Sequence, residues 1–280
     1  MLPAMSLFHC PLCQQALQPQ QRGYACPQRH HFDSARQGYV NLLPVQHKQS
    51  RQPGDTPAMI TARRHFFEQG HYAPLQAAVL AALQAHPDPL GPVLDLGCGE
   101  GYYAGAIQAT WPQSTVYGID ISKAAIRAAA QRYPACQFAV ASSYRLPFGD
   151  GAFAQLLNIF APLNPQEAAR VLAPAGSLLL VSPAPQHLFE IKALLYATPQ
   201  SHAEAAPSPA GWQVQETQRL QTHFVLKQIA DLEALIQMTP YAWRLAQIPP
   251  QTLSAALPLQ VSLDVWLQGC IPNALSTPSS

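Results

Sequence analysis

The chain has 280 residues, 48% of them hydrophobic, and a formal net charge of +1. That size fits one full domain with a small accessory unit, and that apolar content excludes a disordered or fibrous chain. No stretch approaches the roughly 20 apolar residues of a membrane span, and the first nine residues lack the basic and apolar regions of a signal peptide. No membrane association and a cytoplasmic location are therefore expected. Six cysteines in an unexported chain point to reduced thiols rather than a disulfide framework. The charge is unevenly spread: residues 1–71 carry seven Lys/Arg against three Asp/Glu and six of the ten histidines, and residues 72–280 carry a net −3. Such asymmetry points the N-terminal part at an anionic partner, against the plainer reading of a few solvated charges.

Residues 1–36 hold three cysteines and few aliphatic side chains, in the spacing Cys10-x2-Cys13-x12-Cys26-x3-His30. Zinc takes four soft or borderline ligands in a tetrahedron, and a CxxC turn presents two of them together. Cys26 and His30 supply a second turn, and His31 is a rival for the fourth position. Four protein ligands leave no open coordination position, so the metal is expected to be structural, one per chain. A module this small has too little core to fold without it. The competing reading, a thioredoxin-like redox pair, lacks the surrounding βαβ pattern and leaves Cys26 and His30 without a role.

Residues 37–72 read as a linker with a Gln52-Pro53-Gly54-Asp55 break and a short helix over Ala58–Gln69. From residue 73 onward the rhythm is that of one α/β domain. Leu75, Val79, Leu80 and Leu83 recur at helical spacing. Val93–Leu96, Thr115–Ile119, Gln137–Ala141, Phe153–Ile159 and Ser177–Val181 read as strands. Helices follow Gly101, start at the cap Ser122, and start near Pro165. This alternation predicts a parallel sheet with helices on both faces. Thr198–Gly211 reads as a loop, Gln213–Leu226 and Val261–Leu267 as further strands around a helix at Asp231–Met238, and the last ten residues as frayed.

The strand Val93-Leu94-Asp95-Leu96 runs into Gly97-Cys98-Gly99-Glu100-Gly101 and then a helix. Glycines let the backbone turn sharply and approach a ligand. Asp120, after the next strand, stands where a ribose diol is held. A dinucleotide site has G-x-G-x-x-G spacing and a helix N-terminus facing pyrophosphate. Here the spacing is G-x-G-x-G, and Asp95 and Glu100 would repel a pyrophosphate. They suit a ligand with a cationic centre and an ammonium group, as S-adenosylmethionine has.

With these motifs the chain resembles the ribosomal RNA large-subunit methyltransferase A family, guanine-N1 methyltransferases of bacterial 23S rRNA. The likeness runs from Cys10 to about Leu267 and rests on the two cysteine turns, Gly38-Tyr-Val-Asn-Leu-Leu-Pro44, Pro53-Gly-Asp55, Gly70-His-Tyr72 and Gly97-Cys-Gly-Glu-Gly-Tyr-Tyr103. Further along it rests on Ala141-Ser-Ser143, Arg145-Leu-Pro-Phe148 and Gln237-Met-Thr-Pro240 with Trp243. The resemblance implies a class I S-adenosylmethionine-dependent methyltransferase, a Rossmann-like seven-stranded sheet with a small N-terminal zinc-binding module. It implies zinc ligands at Cys10, Cys13, Cys26 and His30, and cofactor contacts at Tyr72, Tyr103, Ala104 and His187, beside Asp95, Gly97, Gly99 and Asp120 from the loop itself. Ile159-Phe160-Ala161-Pro162 fits the family's aromatic-Ala-Pro segment beside the transferred methyl. One departure is Pro174-Ala175-Gly176, where members often carry Pro-Gly-Gly. The implied partner is a hairpin of 23S rRNA, methylated at the guanine-745 type position, by a homodimer whose paired zinc modules cradle it. The alternatives are the neighbouring guanine 748, whose methylation confers macrolide resistance, and a small-molecule methyltransferase, for which the zinc module has no task. A non-catalytic RNA-binding module sits poorly with intact Asp95, Gly97, Gly99 and Asp120.

Guanine N1 lies on the Watson–Crick edge and carries a proton, so the base must be unpaired or flipped and the proton must leave. No residue declares itself as the base. Phe160, Tyr241 and Trp243 are candidates to stack on the guanine, and Lys48, Arg51, Arg63 and Arg64 to meet phosphate. The exocyclic-amine motif is absent, although Asn158 sits near its place, and Cys98, Cys136 and Cys270 lack the Pro-Cys context of cytosine-C5 enzymes.

Overall fold

The structure is a computed structural model and describes residues 6–44, 54–86, 88 and 90–273. Lys48 and Arg51 lie outside the described residues, as does most of the C-terminal stretch expected to fray. The chain opens with a three-stranded antiparallel sheet, β1 (Gln18–Gln20), β2 (Gly23–Ala25) and β3 (His31–Asp33). Next come β4 (Val40–Asn41) and two helices, α1 (Pro57–Glu68) and α2 (Ala73–Gln84). The main alternation is β5 (Val93–Leu96), α3 (Tyr102–Thr110), β6 (Val116–Asp120), α4 (Lys123–Arg132), β7 (Gln137–Val140), β8 (Phe153–Ile159), α5 (Pro165–Val171) and β9 (Leu172–Pro183). It finishes with α6 (Phe189–Leu195), β10 (Trp212–Leu226), α7 (Ile229–Gln237), a 3-10 turn (Ala242–Gln247), α8 (Pro250–Ala255) and β11 (Leu259–Pro272).

Local chemistry sets the helix starts. The Thr56 and Ser122 hydroxyls accept from the N–H groups of Met59 and Ala125, and the Asn164 side chain accepts from Gln166 and Glu167. Prolines occupy the first turns of α1, α2 and α5, where no helical N–H partner is lost.

The other eight strands form one sheet in the order β10-β11-β9-β8-β5-β6-β7-β4. From β9 to β4 all pairs are parallel, and β11 runs antiparallel between β9 and β10. Seven of these strands make the expected methyltransferase sheet. The eighth, β4, comes from the presumed linker: Val40 pairs with Ala139 and Asn41 with Val140.

The two faces are covered differently. Val93, Leu157 and Val181 belong to a core with Phe66, Leu75, Val79, Ile107, Ile126, Ile191 and Leu235, so α1–α4, α6 and α7 share one side. Leu94, Leu96, Tyr117, Ile119 and Leu156 form the other core with Ala168 and Val171 of α5 and with Phe8, Leu17, Val40 and Leu42. Where helices were expected on both faces, the zinc module thus supplies much of the second cover. Phe8 packs edge-on against Tyr117 at 5.2 Å and stacks on Phe148 at 5.5 Å. The N–H groups of Leu7 and His9 donate to the Tyr117 hydroxyl and the Pro147 carbonyl.

Candidate active site and metal centre

Two matching turns build the metal centre. Gln14 N–H donates back to the Cys10 carbonyl and Arg29 N–H to the Cys26 carbonyl, both at 2.8 Å, and Gln14 and Arg29 take φ values of +61° and +63°. The ligand atoms of Cys10, Cys13, Cys26 and His30 all lie within 4.8 Å of one another. His30 Nδ1 is 3.4 Å from the Sγ atoms of Cys10 and Cys26, and Cys13 Sγ is 3.5 Å from Cys26 Sγ. A tetrahedron with Zn–S bonds of about 2.3 Å has edges of about 3.8 Å, and the shorter bond to a histidine nitrogen shortens its edges, so the cluster fits zinc closed on four protein ligands. His31 lies outside it, on β3, facing Asp33 at 3.5 Å.

Above the C-terminal ends of the parallel strands lies a cavity of about 950 Å³. Its floor is the glycine turn. Gly97 and Cys98 donate to the Ile119 carbonyl at 2.9 Å, tying the turn to β6. Gly97 has φ +74°, and a Cβ there would stand 2.5 Å from Ala161 Cβ, so only glycine permits this turn. Phe160 also takes a left-handed φ of +53°, a conformation that costs a non-glycine residue about 1–3 kcal/mol; its N–H holds the Val181 carbonyl at 3.1 Å.

Asp95 is buried, and its Oδ2 has no protein partner. Burial, with the charge of Asp120, pushes its carboxyl up to about 7. The nearby backbone of Ala104 partly offsets that rise. Ala104 is fully buried and does not line the cavity, so its link to this wall runs through Asp95. Asp120 holds the loop as well as facing the cavity: Oδ2 accepts from Gly99 N–H at 3.0 Å and Oδ1 from Ser122 N–H at 2.7 Å. Burial raises its carboxyl too. Tyr72, Tyr103 and His187 line the cavity, with the Tyr103 hydroxyl and His187 Nδ1 buried and without protein partners. Burial, then the neighbouring His202, depresses His187 to about 3, so its ring is neutral. Such unsatisfied buried groups suit a polar ligand carrying its own donors and acceptors.

The structure corrects the reading of two arginines. Arg63 points into the cavity, ion-paired to Asp55 and donating to the Met238 carbonyl at 3.3 Å. Arg64 pairs with the buried Glu100 at 3.1 Å. Arg64 answers a carboxylate that burial would otherwise leave uncompensated and Arg63 a half-buried one, so neither is a free cation for phosphate. Glu100 is likewise spoken for, and of the two acids at the turn only Asp95 lines the cavity unpaired. Of the stacking candidates, Phe160 and Tyr241 line the cavity; Trp243 lies outside it, 59% exposed, with the Arg244 guanidinium 4.6 Å from its ring. Asn158 is a buried lining residue with Oδ1 unpartnered. Sequence reasoning missed the inward turn of Arg63, the lining role of Met238, Thr239 and Pro240 beside Tyr241, and His202 on the 198–211 loop. The only prior signal was the specific spelling of Pro53-Gly-Asp55 and Gln237-Met-Thr-Pro240.

Comparison with known proteins agrees with this arrangement. A family model described as RlmA, N-terminal, a zinc ribbon, matches residues 8–51, and a methyltransferase-domain model matches residues 93–179. The 23S rRNA (guanine(748)-N(1))-methyltransferase of Streptomyces fradiae is 34% identical over 86% of this chain and 91% of its own length. Proteins of Micromonospora griseorubida and Bacillus subtilis that provisionally carry the name 23S rRNA (guanine-N(1)-)-methyltransferase are 36% and 30% identical. Each match covers 93% of this chain and 95% of the relative. The cofactors are S-adenosylmethionine, for the methyltransferase fold, and zinc, for the ribbon with its Cys3His cluster. From the ribbon to the last strands, the chain belongs to the RlmA-type family of 23S rRNA guanine-N1 methyltransferases.

Proposed function

We propose that this protein methylates N1 of a guanine in a hairpin of 23S rRNA, of the guanine-745 type, working in the cytoplasm as a homodimer. The observation that carries the substrate is the likeness to rRNA guanine-N1 methyltransferases over nearly the whole chain, ribbon included. Bound S-adenosylmethionine supplies an electrophilic methyl carbon. Asp95 takes its ammonium group, which gives the unpartnered Oδ2 a donor. Asp120 takes the ribose diol with the lone pairs left beside its two loop hydrogen bonds. Gly97 and Gly99 let the backbone approach, and Tyr72, Tyr103 and His187 wall the site, with Ala104 acting through Asp95. Cys10, Cys13, Cys26 and His30 hold a structural zinc. Residues 1–36 form the zinc unit, 37–72 the connection and 73–280 the catalytic domain, with paired ribbons presenting the hairpin.

The test is methylation of unmodified 23S rRNA with purified protein. Nucleoside analysis should show 1-methylguanine, and reverse transcription should stop at its position, because the methyl blocks the Watson–Crick edge. A stop at the 748 position, the site named for the Streptomyces fradiae relative, would overturn the choice of guanine and leave the chemistry. Methyl transfer to small molecules without any RNA stop would overturn the function.

A further inference from the structure

The cavity lies at the upper end of the range of about 300–1,000 Å³ for small-molecule sites, which leaves room for a base beside the cofactor. Away from the residues assigned to the cofactor, its wall includes Tyr144, Phe160, His202 and Pro207 to Pro209. The Phe160 ring lies 5.1 Å from that of His187, and His187 lies 6.1 Å from His202. The loop carrying His202 is fastened at two points: His202 N–H donates to the Pro185 carbonyl at 3.2 Å, and Lys192 Nζ donates to the Gln200 carbonyl at 2.9 Å.

Among the described residues lining the cavity, the carboxylates are committed. Asp55 is ion-paired to Arg63, and Glu100 to Arg64. Asp95 and Asp120 belong to the cofactor in the reading above. Burial keeps the hydroxyls of Tyr72, Tyr102, Tyr103 and Tyr241 and the Cys98 thiol protonated. His187 is too weak a base and is sealed from solvent. His202 is half-buried, so its ring faces the cavity and retains a route to water.

We propose that His202 is the catalytic residue that takes the N1 proton of the target guanine; this rests on the function proposed above. As the N1–carbon bond forms, the carbon–sulfur bond breaks with its electron pair passing to sulfur. The N1 proton moves to the free imidazole nitrogen of His202 and then to solvent. His187, Lys192 of α6 and Asp264 of β11 face this ring. Burial lowers its affinity for protons, Lys192 adds to that, and Asp264 opposes. The ring is therefore neutral at neutral pH, with a lone pair ready to accept.

The test uses the full chain, S-adenosylmethionine at a concentration that saturates the protein at every pH, and the unmodified hairpin under single-turnover conditions. His202→Ala and His202→Gln should slow methylation on the order of 100-fold, with cofactor affinity by calorimetry held within about twofold. The wild-type rate should climb with pH to a plateau, with a midpoint below the ordinary histidine value, and that acid limb should vanish in both variants. Added imidazole should restore His202→Ala in proportion to its free-base form, which a merely structural role would not allow. In the free protein, an NMR titration should find the His202 ring neutral at pH 7. Methylation within about threefold of wild type, an intact acid limb, a protonated ring at pH 7, or loss of cofactor affinity in both variants would each overturn the assignment. Failure of the wild type to form 1-methylguanine would instead overturn the function on which it rests.

Discussion

Asp95 illustrates how one side chain can set a binding curve. Its carboxyl is raised to about 7 because burial and Asp120 both disfavour its charge, and its Oδ2 has no protein donor. A cationic ammonium binds the ionised form. Ligand binding must then expel a proton wherever the free protein holds one, which is below about pH 7. S-adenosylmethionine affinity should rise with pH through 7 and level off above it, falling by up to about tenfold per unit on the acid side. Calorimetry across pH checks this, and Asp95→Asn should bind weakly with the slope abolished. An affinity in the wild type that is flat between pH 5.5 and 8 would contradict the role. The identity of this residue was legible in the sequence because a strand followed by alternating glycines has few structural solutions. The partners of Arg63 and Arg64 were not legible, because nothing in a string of residues says that Asp55 and Glu100 will be brought beside them.

At the scale of elements, the parallel strands and the helices between them followed from hydrophobic period and from capping residues such as Ser122 and Asn164. Elements held by tertiary contact did not follow. β4 is two residues long and exists because β7 offers an open edge, and α6 and α8 are too short to show a period. The first strands of the ribbon are three residues each and are ordered by the turns of the metal cluster. Where the ribbon docks was equally hidden, since Phe8 reads as an isolated aromatic beside the cysteines. In the fold it is 1% exposed and touches Tyr24, Tyr117 and Phe148. Phe8→Ala should cost about 3–5 kcal/mol, read as a lowered denaturant midpoint. The loss should appear in the unfolding of the whole sheet, because the face it covers belongs to β6. A two-step transition, with the sheet unaffected, would show that the ribbon is only tethered.

The whole molecule divides its charge by location. Arg22, Arg29 and Arg36 are exposed on the ribbon, and among the described residues none of them forms an ion pair. Arg63 and Arg64 are instead occupied within the fold. If the ribbon grips the hairpin, affinity should contain a counterion-release term carried by the outer arginines. Arg22→Ala with Arg36→Ala should flatten the dependence of log affinity on log salt by up to about 2 units. Arg63→Ala should leave that slope unchanged. Filter binding over a salt series decides it, and a slope lost only with Arg63 would place the RNA elsewhere. The ribbon is also part of the cover over one face of the sheet, joined to Tyr117, Phe148 and Phe153 in one apolar layer. Inheritance is bound by that arrangement. A descendant that shed its first 44 residues would expose an aromatic surface to water and to its neighbours, so this catalytic domain cannot pass to a new lineage, or be moved into a fusion, without carrying its zinc-dependent cover along.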